Sequence, residues 1–493
     1  MKKVLSIILS VAIAVTTCLA FGTFTFADTY NDESDIEYAL YQNKYDSSNH
    51  ITVNVAKGTY YLYSRLVIFP NTTFNCEGAT FIKKYDGSTM LAIGQNQDRP
   101  TGNDYYENIT INGGTFDANK KTGSIFSFAH SKDVTINGST FKNCSNGHHL
   151  TFAGCTNVNV TGCTFEGSVN TTGDNMEALQ LDILEPSHFP NYQGSSSPYD
   201  GTMNTDINIT ENTFKNVNRG VGAHSVFSGK YMSGINISNN TFENVAGYAV
   251  LATAFINSKI NGNTIKNCGS GIYYKTINPK RDEPQRPNTY KCNGKSYAPK
   301  IDSSTEICNN KISVIDTKDK TSKQWPYGIR LYGETLKKNE KVALAGDYSA
   351  QNITVSNNSV TVGRDATAIW LDGAKKCKIN KNTVTFNKPK YKAKRKLFAI
   401  RIADSNHISV NSNKIYTNNV AYIENAVFII RSKSNTLKNN KVIGARLHAI
   451  YLTQKSTATI TNCTASSVKG APIYIVGGAK AKTKNCKTQK YKK

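Results

Sequence analysis

Residues 133–141 read DVTINGSTF, and the phrase recurs with small changes along the chain. NITINGGTF stands at 108, NVNVTGCTF at 157, DINITENTF at 206, GINISNNTF at 234, NSKINGNTI at 257, NITVSNNSV at 352, KCKINKNTV at 376, HISVNSNKI at 407 and TATITNCTA at 457. Neighbouring copies are often 23 to 25 residues apart, and insertions fill the wider gaps. Each copy places a short β-branched run before an Asn or Gly turn and a second short run after it. Asn and Gly accept the left-handed backbone that a tight bend demands. Between copies lies a third run that alternates: GIYYK at 271, GIRLY at 328, AIWLD at 368, AIRIA at 399 and AIYLT at 449. Alternation predicts a strand with one buried and one open face. Three short strands per coil of this length predict an all-β, right-handed parallel β-helix, in which each coil pairs with those above and below. A leucine-rich repeat lacks its leucine and asparagine pattern here, and a propeller repeat is almost twice as long.

The N-terminal part agrees. Asp32–Gln42 has Ile36, Ala39 and Leu40 on one side, which predicts a short helix capping the open end of the stack. Ile51–Phe81 follows, ITVNVAKGTYYLYSRLVIFPNTTFNCEGATF. With its extended strand, Gly-Thr-Tyr turn and first coils it resembles the opening of the pectin-lyase-like β-helix superfamily. The resemblance covers nearly the whole mature chain as architecture. It implies a fold shared by lyases, hydrolases, epimerases, phage tailspikes and adhesins, and so leaves the activity open.

The first 27 residues read as a removable leader: Lys2 and Lys3, the apolar run Val4–Ala20, then TFA ending at Ala27. That is the pattern of a secretory signal cleaved before Asp28. The alternative, a membrane anchor, needs a longer apolar run. The expected organisation is a leader over 1–27 and one β-helix domain over 28–493, with cap and first coils in 28–90 and a lysine-rich end from 480. The secreted chain is expected outside the cell with no membrane contact. Losing two lysines and no acid takes the net charge from +24 to +22. This favours a polyanionic partner such as acidic polysaccharide or an anionic cell wall, against the plainer reading of a solvated basic surface. No nucleic-acid-binding motif is present. The ten cysteines left after the leader form no CxxC pair and no zinc spacing. Small, buried, apolar roles suit most of them; one or two disulfides, with Cys292 as a candidate, are the alternative.

Aligning the alternating strands by their inward aliphatics, from Phe126/Phe128 to Ile400/Ile402, predicts two outward columns. One holds Ala153, Asp182, His224, Thr253, Lys275, Tyr332 and Asp372. The other holds Thr151, Gln180, Gly222, Leu251, Tyr273, Arg330, Trp370 and Arg401. Strands in a sheet lie about 4.8 Å apart, so Asp182 and His224 are expected side by side, with Lys275 two rungs beyond. His149, Glu177 and Arg219 are further candidates for this strip, with a structural role for His149 and a surface ion pair for Glu177 and Arg219 as alternatives. Insertions at 184–205, 278–303, 333–351 and 387–398 are expected to wall it. Such a strip suits an extended sugar chain, with rings against sugar faces and Arg or Lys against carboxylates. An exposed sheet face needs polar residues in any case, which is the plainer explanation. No cofactor is required by the sequence and no metal motif appears; Asp174, Glu177 and Asp182 are weak candidates for calcium.

Two chemistries fit. Hydrolysis of a glycoside needs two facing carboxyl groups. The polygalacturonase branch carries Asn-Thr-Asp, Asp-Asp and Gly-His-Gly on successive coils. Here Glu177, Asn218-Arg219 and Gly247-Tyr248-Ala249 stand at those places, so that activity is not expected. A different hydrolase needs Glu177 or Asp200 to partner Asp182. β-Elimination from a uronic acid needs a base for the proton beside the carboxylate and a cation to hold the carboxylate. His224 oriented by Asp182 fits the first role, and Lys275, Arg330 or Arg219 the second. Elimination is slightly favoured; a non-catalytic surface adhesin or glycan-binding rod is the remaining alternative.

Overall fold

Three parallel sheets run the length of the chain, each coil contributing one strand to each. The computed structural model describes residues 29–94, 98, 100–168, 176–184, 199–223, 231–276, 302–314, 326–333, 349–363, 366–387, 398–418 and 423–490, with backbone only at 291–292, 295–296, 337–338 and 341–342. The leader, Asp174, His224, most of the four insertions and the side chain of Cys292 lie outside the described residues. Among these residues the sheets have 16, 14 and 15 strands. The repeated phrase supplies the sixteen- and fifteen-stranded sheets, joined by its Asn or Gly turn. The alternating run supplies the fourteen-stranded sheet. No described helix is long and apolar enough to cross a membrane.

The predicted cap forms as helix α1, Glu33–Leu40, with the Asp32 side chain accepting from the Ser34 backbone N–H at its N-terminus. Ile36, Ala39 and Leu40 are buried against the first coils. The bends occur where the repeat places them: between its two runs, Gly113, Gly138, Gly162, Asn239, Gly262 and Asn357 have φ between 56° and 67°.

Inward columns build the core. In the fifteen-stranded sheet, Phe81, Phe116, Phe141, Phe165, Phe214 and Phe242 stack with centroids 4.6 to 5.8 Å apart; that rung spacing suits offset ring stacking. At the turn joining this sheet to the sixteen-stranded one, a buried column of asparagines runs from Asn212 to Asn440. In the middle of it, the Asn310 Nδ2 donates to Ile260 O at 3.0 Å and to Asn358 Oδ1 at 2.9 Å, while its own Oδ1 accepts from Asn263. Each amide thus satisfies the turn of its neighbour, which keeps buried polar groups bonded. Cys163 and Cys463 sit at the two ends of this column. Eight of the nine described cysteines are buried and all nine are free. Burial pushes the thiols of Cys144, Cys155, Cys163, Cys268 and Cys377 up to about 12. The expected apolar role holds for them, and no disulfide forms among them.

Candidate functional site on the fourteen-stranded sheet

Every inward pair predicted from the alternating runs lies in the core, and the outward register follows. Thr151 stands opposite Gln180, Gln180 opposite Gly222, Gly222 opposite Leu251 and Leu251 opposite Tyr273. Tyr273 then faces Arg330, Arg330 faces Trp370 and Trp370 faces Arg401. In the other column Ala153 pairs with Asp182, Thr253 with Lys275, Lys275 with Tyr332 and Tyr332 with Asp372. His224, expected between Asp182 and Thr253, lies outside the described residues.

Three expectations are corrected. First, the outer face is not open on its earlier coils: all six residues of Glu177–Asp182 and of Tyr248–Thr253 are buried, whereas Lys275, Tyr332, Trp370, Asp372 and Arg401 farther along are part-exposed. Alternation chose the face, but neighbouring side chains cover it. Tyr248, Leu251, Tyr273 and Tyr327, with Tyr332 packed against them, form an apolar cluster outside the core. Second, His149 does not reach the strip. It is buried on the inner side, its Nε2 lies 3.3 and 3.2 Å from the carbonyls of Glu166 and Gly167, and its ring meets Phe165 edge-on. Burial pushes its pKa down to about 4, so the ring is neutral and donates. Third, Glu177 and Arg219 pair, but as a buried couple rather than surface charges. Arg219 Nη1 lies 3.3 Å from Glu177 Oε1, with side-chain exposures of 8% and 0%.

The Glu177 couple occupies a third outer column that strict alternation does not foresee. Glu177 pairs with Arg219, and Tyr248 and Tyr327 hold the same place on later coils. The Tyr248 hydroxyl donates to Glu177 Oε1, and Arg219 lies over the Tyr248 ring at 4.9 Å. Burial, and then the Glu177 carboxylate, hold the Tyr248 phenol well above its usual pKa. Gly222 makes the room: a Cβ there would sit 2.6 Å from Glu177 Cγ. The legible signal is a large polar or aromatic residue followed by Ala or Gly at the start of each run. At Gly328 a Cβ would lie 2.6 Å from the Ala368 carbonyl, so coils cross too closely there for a side chain.

Farther along, Arg330 is seated among four rings. Its guanidinium carbon lies 4.3 Å from the Trp370 centroid, 5.1 Å from Tyr273 and Tyr332, and 6.0 Å from Tyr327. Arg401 lies 5.0 Å from Trp370 on the next rung and 3.8 Å from Asp372. Burial raises the Asp372 pKa against the lowering pull of Arg401 and Arg330. Trp370 is thus flanked by guanidinium groups, which cover the ring faces expected to meet sugar. The stack continues beyond the predicted strip: Phe398 and Phe428 lie 4.5 Å apart, Phe428 and Tyr451 5.4 Å, and Tyr451 and Tyr474 5.6 Å, all near parallel. Rings stacked along the rod offer edges to the groove, not faces.

Gln180 is fully buried on this face, and neither its amide nitrogen nor its amide oxygen has a hydrogen-bond partner. A buried amide left so is costly and calls for a partner. Lys275 is partly exposed, and Asp182 is 3% exposed with Oδ1 3.2 Å from the Ile183 N–H. Asp200 is bound up by the backbone N–H groups of Gly102 and Thr202 at 2.8 and 2.9 Å. No cluster of three or more metal-ligating side chains occurs among the described residues.

A family model described as "Right handed beta helix region" matches residues 291–454 and 342–492. The solenoid is a right-handed parallel β-helix. The surface protein and adhesin PfbA of Streptococcus pneumoniae is similar in structure at 19% identity, with a TM-score of 0.52, covering 83% of this β-helix and 93% of the adhesin. The tailspike of E. coli bacteriophage HK620, solved with a pentasaccharide, is similar at 12% identity and a TM-score of 0.51, covering 90% of this chain and 74% of the tailspike. At these identities the likeness is one of fold. No curated protein sequence matches the chain.

Proposed function

We propose that this β-helix is an extracellular carbohydrate-active protein that holds an acidic polysaccharide along the outer face of its fourteen-stranded sheet and cleaves it by β-elimination. The observation that carries the reading is the seating of Arg330. Its guanidinium is packed against Trp370, Tyr273 and Tyr332, which fixes the plane of a fork of the kind that pairs with planar carboxylates. Lys275, two residues along from Tyr273 and one rung away, adds a second cation.

In the proposed step Arg330 and Lys275 neutralise the uronate carboxylate, which acidifies the adjacent C–H. A base takes that proton, the C–O bond to the neighbouring sugar breaks, and the leaving oxygen is protonated. His224, oriented by Asp182, is assigned as base. Arg219 is not assigned, because Glu177 already holds it. The same engagement argues against hydrolysis, which needs a second free carboxyl facing Asp182. The leader and the likeness to a surface adhesin and a tailspike support an extracellular setting.

The test is an assay of uronate and neutral polysaccharides for new ultraviolet absorbance and for reducing ends. Absorbing unsaturated products, abolished by His224→Ala and Arg330→Ala, are expected. Reducing ends without absorbance would make the protein a hydrolase. Binding without turnover, kept in His224→Ala and lost in Arg330→Ala, would make it a non-catalytic glycan-binding rod.

A further inference from the structure

The sixteen- and fifteen-stranded sheets meet at the Asn turn, and their outer faces form a corner of the rod distinct from the groove face. Charge is distributed along this corner very unevenly. On the eight coils whose corner segments are 71–84, 106–118, 131–144, 156–168, 205–216, 233–245, 257–267 and 304–314, nine acidic residues stand with eight lysines. They alternate up the sheet. Asp117, Lys142, Glu166, Lys215, Glu243 and Lys266 are register neighbours in that order. Lys142 lies 3.7 Å from Asp117 and Lys215 3.8 Å from Glu166.

After the uncharged segment 349–363 the pattern ends. The last five corner segments, 374–387, 405–418, 432–445, 455–467 and 478–489, hold thirteen lysines and no Asp, Glu or Arg. Lys414 is directly opposite Lys441, and Lys441 is two rungs from Lys487 through Thr464. On earlier coils this column is threonine, from Thr80 to Thr264. Like charges placed directly opposite oppose folding, so the column departs from its own stable pattern. Nothing on these coils compensates. From residue 366 onward the chain has three carboxylates, Asp372, Asp404 and Glu424. Arginines outside the corner segments hold all three: Arg401 at 3.8 Å, Arg431 at 2.6 Å and Arg446 at 3.8 Å.

Lysines on the final strands protect an unpaired sheet edge, which accounts for Lys480, Lys482, Lys484 and Lys487. It does not account for Lys378, Lys381, Lys414, Lys438 and Lys441, which lie on interior coils and are exposed.

We infer that this corner is a second binding surface, for an extended phosphodiester polymer of the cell surface, and that it holds the protein in place independently of the groove. Residue choice separates the two faces. The groove uses arginines, whose planar fork suits carboxylates. The corner uses only lysines, which bind phosphates as compact point charges without the fixed geometry of the arginine fork, as charges spaced along a flexible phosphodiester chain require. Rungs about 4.8 Å apart give such a chain successive ammonium groups along the rod.

The test compares the full protein with a variant carrying Lys381→Asn, Lys414→Thr, Lys438→Thr and Lys441→Thr. These are residues the same columns already hold at Asn357, Thr383, Thr461 and Thr464, and the edge lysines stay. Binding to poly(glycerol phosphate) is measured across a salt series, with a DNA duplex and polygalacturonate at equal charge as the other arms. Wild type should bind poly(glycerol phosphate) with affinity falling steeply as salt rises. The variant should bind at least tenfold more weakly at low salt, with the log–log slope reduced by roughly three, as expected for four lost phosphate contacts. Its thermal stability should equal or exceed wild type, and Arg330→Ala should bind the phosphodiester polymer unchanged. An unchanged affinity and slope in the lysine variant would overturn the assignment, as would tighter binding of DNA than of poly(glycerol phosphate), or, in Arg330→Ala, tighter binding of polygalacturonate than of poly(glycerol phosphate).

Discussion

Replacing His149 by Gln should remove most of one component of the protein's acid sensitivity. The His149 ring is buried, its Nε2–H is shared between the carbonyls of Glu166 and Gly167, and its pKa falls from 6.5 to about 4. Between these two values the unfolded chain binds the proton and the folded chain does not. The contribution of the neutral ring is therefore complete above about pH 6.5 and is lost as the pH falls towards 4. A shift of this size is worth about 3.4 kcal/mol in full, and about 2 kcal/mol of it is gone at pH 5. Gln can keep a donor to the same carbonyls but does not titrate. Urea unfolding of wild type and His149→Gln at pH 7.5 and 5.0 measures the difference, and the imidazole resonances followed by NMR give the pKa directly. Wild type should lose about 2 kcal/mol more than the variant between the two pH values. Equal losses, or a His149 resonance titrating near 6.5, would refute the buried neutral ring.

Glu177→Gln should destabilise the fold by about 3–5 kcal/mol, because Arg219 keeps its buried charge without a counter-ion; urea unfolding at pH 7.5 measures it, and the loss should shrink in the Arg219→Met background. Asn310→Ala should cost about 4 kcal/mol by the same measurement, since the Asn263 backbone N–H and Nδ2 lose their acceptor and each orphaned buried donor costs about 1–3 kcal/mol. Among the described cysteines, a thiol reagent on the native protein at pH 8 should modify Cys486 alone, and the eight buried thiols should react only after unfolding.

The groove register was legible far from the structure because the alternating runs have a strict period of two. A one-residue slip would turn Ile329 and Leu331 outward and Arg330 into the core, so the pairing of Arg330 with Tyr273 and Trp370 follows from sequence alone. The place of His149 was not legible. It sits where Ala or Gly stands on later coils, and its inward turn depends on carbonyls at Glu166 and Gly167, which the later strand Thr164–Ser168 supplies. The Glu177–Arg219–Tyr248 cluster was hidden for a related reason. The alternation breaks at the first residue of each run, where coils approach too closely for a side chain at Gly220, Gly271 and Gly328.

Sequence periodicity by itself determined the solenoid, its three strands per coil, the asparagine turns and the identity of each outward column. Those depend on hydrophobic spacing and on the few residues that accept a left-handed bend, which are local properties repeated many times. Tertiary structure decided which outward residues are buried, which charges are already paired and which ring faces are already covered. Those outcomes depend on side chains from coils 20 to 70 residues away meeting across one or two rungs, and the energy of each contact is set by the neighbour it finds there.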